Sequence, residues 1–422
     1  MSLKPAICLL ALTLSASPLL AQSNPVTPAI NQLGLDILRA QASAGEQGNL
    51  LLSPYSIEVA LAMAYTGADG RTREEMRRVL HLPADDAAVL DGFSGLAKEL
   101  GALQEDSRRR SKQAHKYGGS VEPIEINIAN RLFAQDGFAF RPAFTTTLRR
   151  QFGAPLDELD FRHAAEPARA AINGWVAHET HDKIRDLVPA GAIDSATRTV
   201  LANALYLRAA WEDPFKPDNT NNEAFWVDGK TRAEVPTMLQ QSHFGYEQRN
   251  GYAAITLPYV GGELEFVILL PDKRDGLAEL ERTMTPAMLS GFDKLPFHDV
   301  ILHLPKFRLA PPSIALGTAL GALGMETAFD RPRGSADFSR MAPRKPDDYL
   351  CISEVFHKTW LSLDENGTEA AAATAVVMFG VTAIPPEPLP PIEVRVDRPF
   401  LFAIQHVPSG ACLFLGRLTD PR

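Results

Sequence analysis

Residues Asp364–Ile384 read DENGTEAAAATAVVMFGVTAI, and the reading of this stretch decides the fold. The alanine run, Ala370 to Ala373, favours a helix on intrinsic propensity. The flanks favour a strand. Upstream, EVFHKTWLSLD alternates, with His357, Thr359, Leu361 and Leu363 on one face and Lys358, Trp360 and Ser362 on the other. Downstream come Thr374, Val376, Val377, Val381 and Thr382, β-branched residues that suit a pleated surface. No proline falls between Asp364 and Ile384, so every residue keeps its backbone donor. Gly367 supplies a flexible point and the alanines add little bulk. Such a segment can slide into a sheet as a new strand. With period two, Thr368, Ala370, Ala372 and Thr374 share one face, and Glu369, Ala371 and Ala373 the other. The proline run from Pro385 to Pro391 then ends any ladder.

Outward from this stretch, helix and strand patterns mix. Ile30, Leu33, Ile37 and Leu38 have helical spacing between Pro28 and Ala42. Ser53 and Pro54 form a helix start, and the helix should run to Gly67. Thr72 and Glu75 have capping-box spacing, which predicts another start. Gln104–Ser120 is polar and locally basic, the pattern of a solvated insertion. The run Ile172–Val188 predicts a helix. Its His178 and His181 lack the H-E-x-x-H spacing of a zinc site and read as exposed helix histidines. Val200–Leu207 is a buried strand, in which Asn203 needs polar partners. Gly261-Gly262 marks a hairpin, Leu302–Leu309 a strand, and Phe400–Leu418 a buried hairpin. No internal repeat or clear linker interrupts the chain. A single α+β domain over 26–422 is expected.

The chain has 422 residues, of which 45% are apolar, enough for a sizeable core. A formal net charge of −9 argues against a nucleic-acid partner. Beyond the leader no stretch has the length and apolarity of a membrane span. Residues 1–21 read as a secretory signal, with Lys4, an apolar run from Ala6 to Leu14 and a small residue at Ala21. Leu19 makes the cleavage pattern imperfect. The expected localisation is secreted, extracellular or periplasmic. Cys8 lies in the leader, so Cys351 and Cys412 remain, and their apolar surroundings predict buried free thiols. Elbow, P-loop, zinc and dinucleotide signatures are absent, and scattered serines and histidines define no triad. No enzymatic activity, cofactor or metal is expected. His357 reads as a hydrogen-bonded core histidine.

The ordered set of segments carries more. GTEAAAATAVVM (367–378) resembles the hinge of the reactive loop of the serpins, a family of serine-protease inhibitors. NLLLSPYSIEVALAMAYTGADGRT (49–72), IANRLF (128–133), INGWVAHETHDKI (172–184), VLANALYLRAAWEDPF (200–215), LHLPKFRL (302–309), LGMETAF (323–329) and DRPFLFAIQH (397–406) also resemble serpin segments, in serpin order. The resemblance covers nearly all of the chain after about Pro25 and points to a secreted bacterial member of the inhibitory type.

The resemblance implies a serpin fold with three β-sheets, about eight or nine helices and an exposed reactive-centre loop at about 365–391. It places Glu365, Gly367, Thr368, Glu369, Ala370, Ala371, Ala372, Ala373 and Thr374 in the hinge. Ser53, Ser56, Asn203 and His357 match the shutter, a polar cluster under the centre of the main sheet. Trp211 matches the breach tryptophan, and Lys306 the lysine that pairs with the hinge glutamate, here Glu365, as a surface ion pair. The partner implied is a target serine protease, captured as a covalent acyl-enzyme while the cut loop inserts as a new strand. Counting forward from the hinge puts the reactive bond at Val381-Thr382, with Met378-Phe379 and Phe379-Gly380 as fallbacks. No Lys or Arg lies between Asn366 and Ile392, which excludes trypsin-like targets and leaves elastase-like, subtilisin-like or chymotrypsin-like ones. A monomer is expected. Arg108, Arg109, Arg110, Lys112 and Lys116 offer a polyanion site by analogy with a nearby helix in some serpins. The alternative is a non-inhibitory serpin acting as a carrier or chaperone, but such members carry bulky, charged or proline-containing hinges.

Overall fold

The computed structural model describes residues 24–117, 119, 121–369 and 390–422. The chain opens with α1 (Thr27–Ser43), which buries Ile30, Leu33, Ile37 and Leu38 on the expected stripe. A short strand, β1 (Leu50–Leu52), precedes α2 (Pro54–Gly67). The Ser53 hydroxyl accepts from the Ser56 N–H at 3.2 Å, and Pro54 fills the first helical position. In α3 (Gly70–Val79) the predicted capping box does not form. Asp69 is the cap residue, and Thr72 and Glu75 lie inside the helix. Thr72 accepts from the Asp337 N–H and Glu75 from Thr327, so distant partners claim both side chains. Helix α4 (Asp86–Lys116) takes in most of the stretch expected as an insertion, because Leu96, Leu100, Leu103, Ser107 and Ser111 continue a buried stripe along it.

Next come β2 (Glu125–Gln135), α5 (Pro142–Phe152), β3 (Leu156–Leu159) and α6 (Phe161–Glu179). The helix predicted to reach Val188 stops at Glu179. The Thr180 hydroxyl donates to the Val176 carbonyl at 2.8 Å and accepts the Ile184 N–H at 3.2 Å, competing with the helical pattern. His181, Asp182 and Asp186 then take left-handed φ values, and the chain continues in turns. Strand β4 (Thr199–Ala210) is buried on both faces, which is why it reads as an unbroken apolar run.

The second half contributes β5 (Asn221–Val227), β6 (Thr231–Arg249), β7 (Tyr252–Pro258), β8 (Leu264–Pro271) and α7 (Leu277–Thr283). These are followed by β9 (Phe297–Pro305), β10 (Phe307–Leu309), β11 (Ile314–Ala315) and α8 (Gly317–Ala322). The run read as one strand over Leu302–Leu309 is two, since the chain breaks at Lys306 and β9 and β10 join different sheets. The last elements are β12 (Glu354–Thr359), β13 (Leu361–Asp364), β14 (Gly367–Thr368), β15 (Ile392–Arg395), β16 (Phe400–His406) and β17 (Ala411–Leu418).

Eight α-helices are present among the described residues. Of the three expected sheets, two are joined through β6. Its first residues pair with β5, its middle with β9 and its end with β7, so one long strand serves both. The other sheet runs β10-β13-β14-β4-β12-β11, with β2 paired to β4 and β3 to β2. Alternate residues of β4 face two different cores. Leu201, Leu205 and Leu207 pack toward α1 and α2, and Val200, Ala202 and Ala204 pack with Ile172, Val176 and Phe356 under α6. Both cysteines are free, Cys412 buried in β17 and Cys351 only half-buried in the loop before β12.

Candidate functional site

The site is a seam in this second sheet. Below, β4 and β12 pair directly and in parallel, from Val200 with Glu354 to Leu205 with Thr359. Above, they part, and β14 lies between β13 and β4, antiparallel to both. Thr368 stands opposite Leu363 on one side and Ala209 on the other. The sequence places everything after Glu365 in an exposed loop; the structure instead buries Gly367 and Thr368 in the sheet. Two local features dock them. Gly367 has φ 141°, where a Cβ would fall against the Ala209 carbonyl oxygen. The Thr368 hydroxyl lies 2.6 Å from the Tyr259 hydroxyl, buried within the sheet. Ala370 to Thr374, Met378 to Gly380, Val381 and Thr382 lie outside the described residues, as does the leader.

Trp211 closes the upper end. Its ring stacks on Tyr259 with centroids 4.6 Å apart. Its backbone N–H donates to the Asn366 carbonyl at 2.9 Å and its indole N–H to the Asp364 carbonyl at 3.0 Å. Lys306 Nζ meets the Glu365 carboxylate at 2.7 Å, and the Thr220 hydroxyl donates to the same carboxylate at 2.7 Å. The pair is less superficial than expected, because the Glu365 side chain is only 9% exposed. Burial works to raise the Glu365 pKa, but bonds from Lys306 and Thr220 outweigh it and the pKa is lowered. Neighbouring Asp364 shifts upward, through burial first and then through the charge of Glu365.

The lower cluster sits where β2, β4 and β12 bring Asn130, Asn203 and His357 into register. The Ser53 backbone N–H donates to His357 Nε2 at 3.1 Å. That nitrogen is therefore the acceptor, so Nδ1 carries the proton and donates to Asn203 Oδ1. The Ser56 hydroxyl donates to Asn130 Oδ1 at 2.6 Å. Burial pushes the His357 pKa down to about 3, so the ring is neutral. Three participants escape a sequence reading. Asn130 was visible as the uncharged polar residue of IANRLF and Tyr259 as the aromatic of ITLPYV, and Thr359, which donates to the Leu51 carbonyl at 2.9 Å, as a polar position on the inward face.

The basic stretch of α4 is largely self-neutralised. Arg108 pairs with Glu105, Arg109 with Asp106 and Arg110 with Glu263, while Lys112 and Lys116 are exposed. His178 is exposed on α6, and His181 lies past its end, 3.0 Å from Asn127. No group of three metal-ligating side chains occurs among the described residues.

Comparison with known proteins agrees over almost the whole chain. The family model described as serpin, a serine protease inhibitor, matches residues 28–421. The leukocyte elastase inhibitor of Sus scrofa is 35% identical over 405 residues, covering 94% of this chain and 99% of the relative. A serpin-like protein of Thermococcus kodakarensis is 35% identical over 402 residues, covering 95% and 87%. The crystal structure of Serpin48, a highly specific serpin of the insect Tenebrio molitor, superposes with a TM-score of 0.76 at 29% identity, covering 94% of this chain and 98% of that one. Uncleaved ovalbumin superposes with a TM-score of 0.77 at 25% identity, covering 94% and 100%.

Proposed function

Since the chain belongs to the serpin family of serine protease inhibitors, we propose that it traps elastase-like, subtilisin-like or chymotrypsin-like proteases as a suicide substrate, without enzymatic turnover of its own. The protease attacks the loop near Val381-Thr382 and forms its acyl-enzyme. The freed hinge then extends β14 downward between β4 and β12, carrying the tethered enzyme with it. The observation that supports this most is the seam itself. The parallel β4–β12 pair lies directly below a strand already antiparallel to both neighbours. Growth of β14 exchanges one parallel ladder for two antiparallel ones, which are slightly more stable per residue. Each ladder bond added contributes about 1 kcal/mol net. The side chains facing inward, Thr368, Ala370, Ala372 and Thr374, are small, so insertion competes well with hydrolysis.

The test is incubation with elastase, subtilisin and chymotrypsin, followed by denaturing gels and sequencing of the released fragment. The expected result is an SDS-stable complex and a cut between Met378 and Thr382. Cleavage without any complex favours the carrier or chaperone reading instead. The reading also includes secretion after removal of residues 1–21 and a monomeric 26–422 domain. Binding of a polyanion at Arg108, Arg109, Arg110 and Lys112 is its weakest part, since the three arginines already have acidic partners.

A further inference from the structure

Glu369 follows β14 directly. Its φ is 48°, a left-handed value that a residue with a Cβ adopts at a cost. Its N–H still donates to the Ser362 carbonyl at 2.9 Å, one step past the Leu363–Thr368 pair. The ladder along β13 therefore reaches Glu369.

The Glu369 side chain has its own mooring. Its carboxylate pairs with Lys183, which lies in the turn after α6. The Lys183 ammonium also sits 4.6 Å from the centre of the Trp360 ring, and Arg308 lies 5.4 Å from that ring. The turn is tied to both sides of the seam. Lys358 on β12 donates to the Arg185 carbonyl at 2.6 Å, and His181 meets Tyr206 of β4 edge-on at 5.5 Å. The Tyr206 pKa is raised, by burial first and then by the charge of Glu369. Just below, Thr359 and Leu205 form the last direct pair between β12 and β4. The ladder can lengthen only if that pair parts and Glu369 swings to an extended φ.

We propose that Lys183, backed by Trp360, is a positioning residue that latches Glu369 at the fork of the sheet and so sets how fast the cut loop inserts. The proposal rests on the loop-insertion reading above. The two side chains are 37% and 17% exposed, so a modest coupling is expected, about two- to fivefold in a rate. The decisive measurement is hydrogen exchange at the Glu369 amide in the intact chain. Lys183→Ala and Glu369→Ala should each speed exchange by that factor, the double variant should add nothing to either, and Lys183→Arg should restore the slow rate. With elastase, the same two variants should shift the products from cleaved free chain toward SDS-stable complex. Unchanged exchange, or independent additive effects, overturns the latch. Faster exchange with an unmoved product ratio overturns its role in insertion. A wild-type chain that forms no complex with any protease sinks the insertion reading itself and that role with it, while exchange still reports whether the pair is coupled.

Discussion

Two polar clusters sit on one seam and are built on opposite principles. The lower one, Ser53, Ser56, Asn130, Asn203 and His357, is neutral, buried and closed over a direct β4–β12 ladder. The upper one, around Trp211, Tyr259, Lys306, Glu365 and Thr368, is partly charged and already wedged open by the chain's own hinge. In the lower cluster, bonds from the start of α2 tie β12 and β2 to the helix beneath them. In the upper one, the hinge itself supplies the ladder. The sheet therefore has a closed end and an open end, and insertion should begin at the open one.

The hardest blow to this contrast is Thr368→Arg. Thr368 is 1% exposed and sits between two strands. An unpaired buried cation costs several kcal/mol, so the first inserted residue would be expelled. Stable complex with elastase should fall on the order of a hundredfold, while cleavage of the loop continues. If insertion of the cut loop stabilises the wild type, cleavage should raise its melting temperature and leave that of the variant unchanged. A variant that still trapped protease normally would show that opening does not start at the hinge.

Acid destabilises both clusters but in different windows. The folded His357 pKa is lowered to about 3 from an ordinary 6.5, so the native state prefers the neutral ring. The stability this gives is fully present above about pH 6.5 and is lost as pH falls below it, at about 1.4 kcal/mol per pH unit. Between pH 6.5 and 4 the loss should reach about 3 kcal/mol. The Glu365 pKa is lowered from 4.5, so its contribution begins to fade only below about pH 4.5. His406, buried and lowered to about 4, adds to the upper window, so the informative comparison is wild type against His357→Gln. Denaturant midpoints from pH 7 to pH 5 should flatten in the variant. An equal slope in both would remove His357 as the acid-sensitive element.

Much of this was legible in the sequence, and the failures share a cause. Ser53-Pro54 marks its helix because cap and first turn are local chemistry. Val200–Leu207 reads as buried because both faces of β4 are covered. Thr72 and Glu75 mislead because their partners, Asp337 and Thr327, lie far away in the chain. The end of α6 is missed because one hydroxyl, Thr180, redirects a run with good helical spacing. Leu302–Leu309 did carry a sign of its two sheets: the apolar alternation slips by one residue at Pro305-Lys306, between Leu304 and Phe307, which a reading of the run as one strand passes over. The docking of Gly367 and Thr368 depends on Tyr259, 109 positions away, which no local pattern links to the hinge.

The smallest expected effect sharpens the contrast rather than breaking it. Lys306→Ala removes one of two side-chain bonds to Glu365 and leaves the Thr220 bond in place. Lys306 itself is 36% exposed, so water screens its charge and limits the loss. A cost of about 1 kcal/mol is expected, read as a shift in denaturant midpoint at pH 7. The pKa of Glu365 should move upward, because burial then faces weaker opposition. If the charged upper cluster is the less tightly held end of the seam, Lys306→Ala should cost less than Asn203→Ala, which strands the buried His357 N–H at about 1–3 kcal/mol. The reverse order would mean that the ion pair, not the neutral cluster, holds the sheet closed.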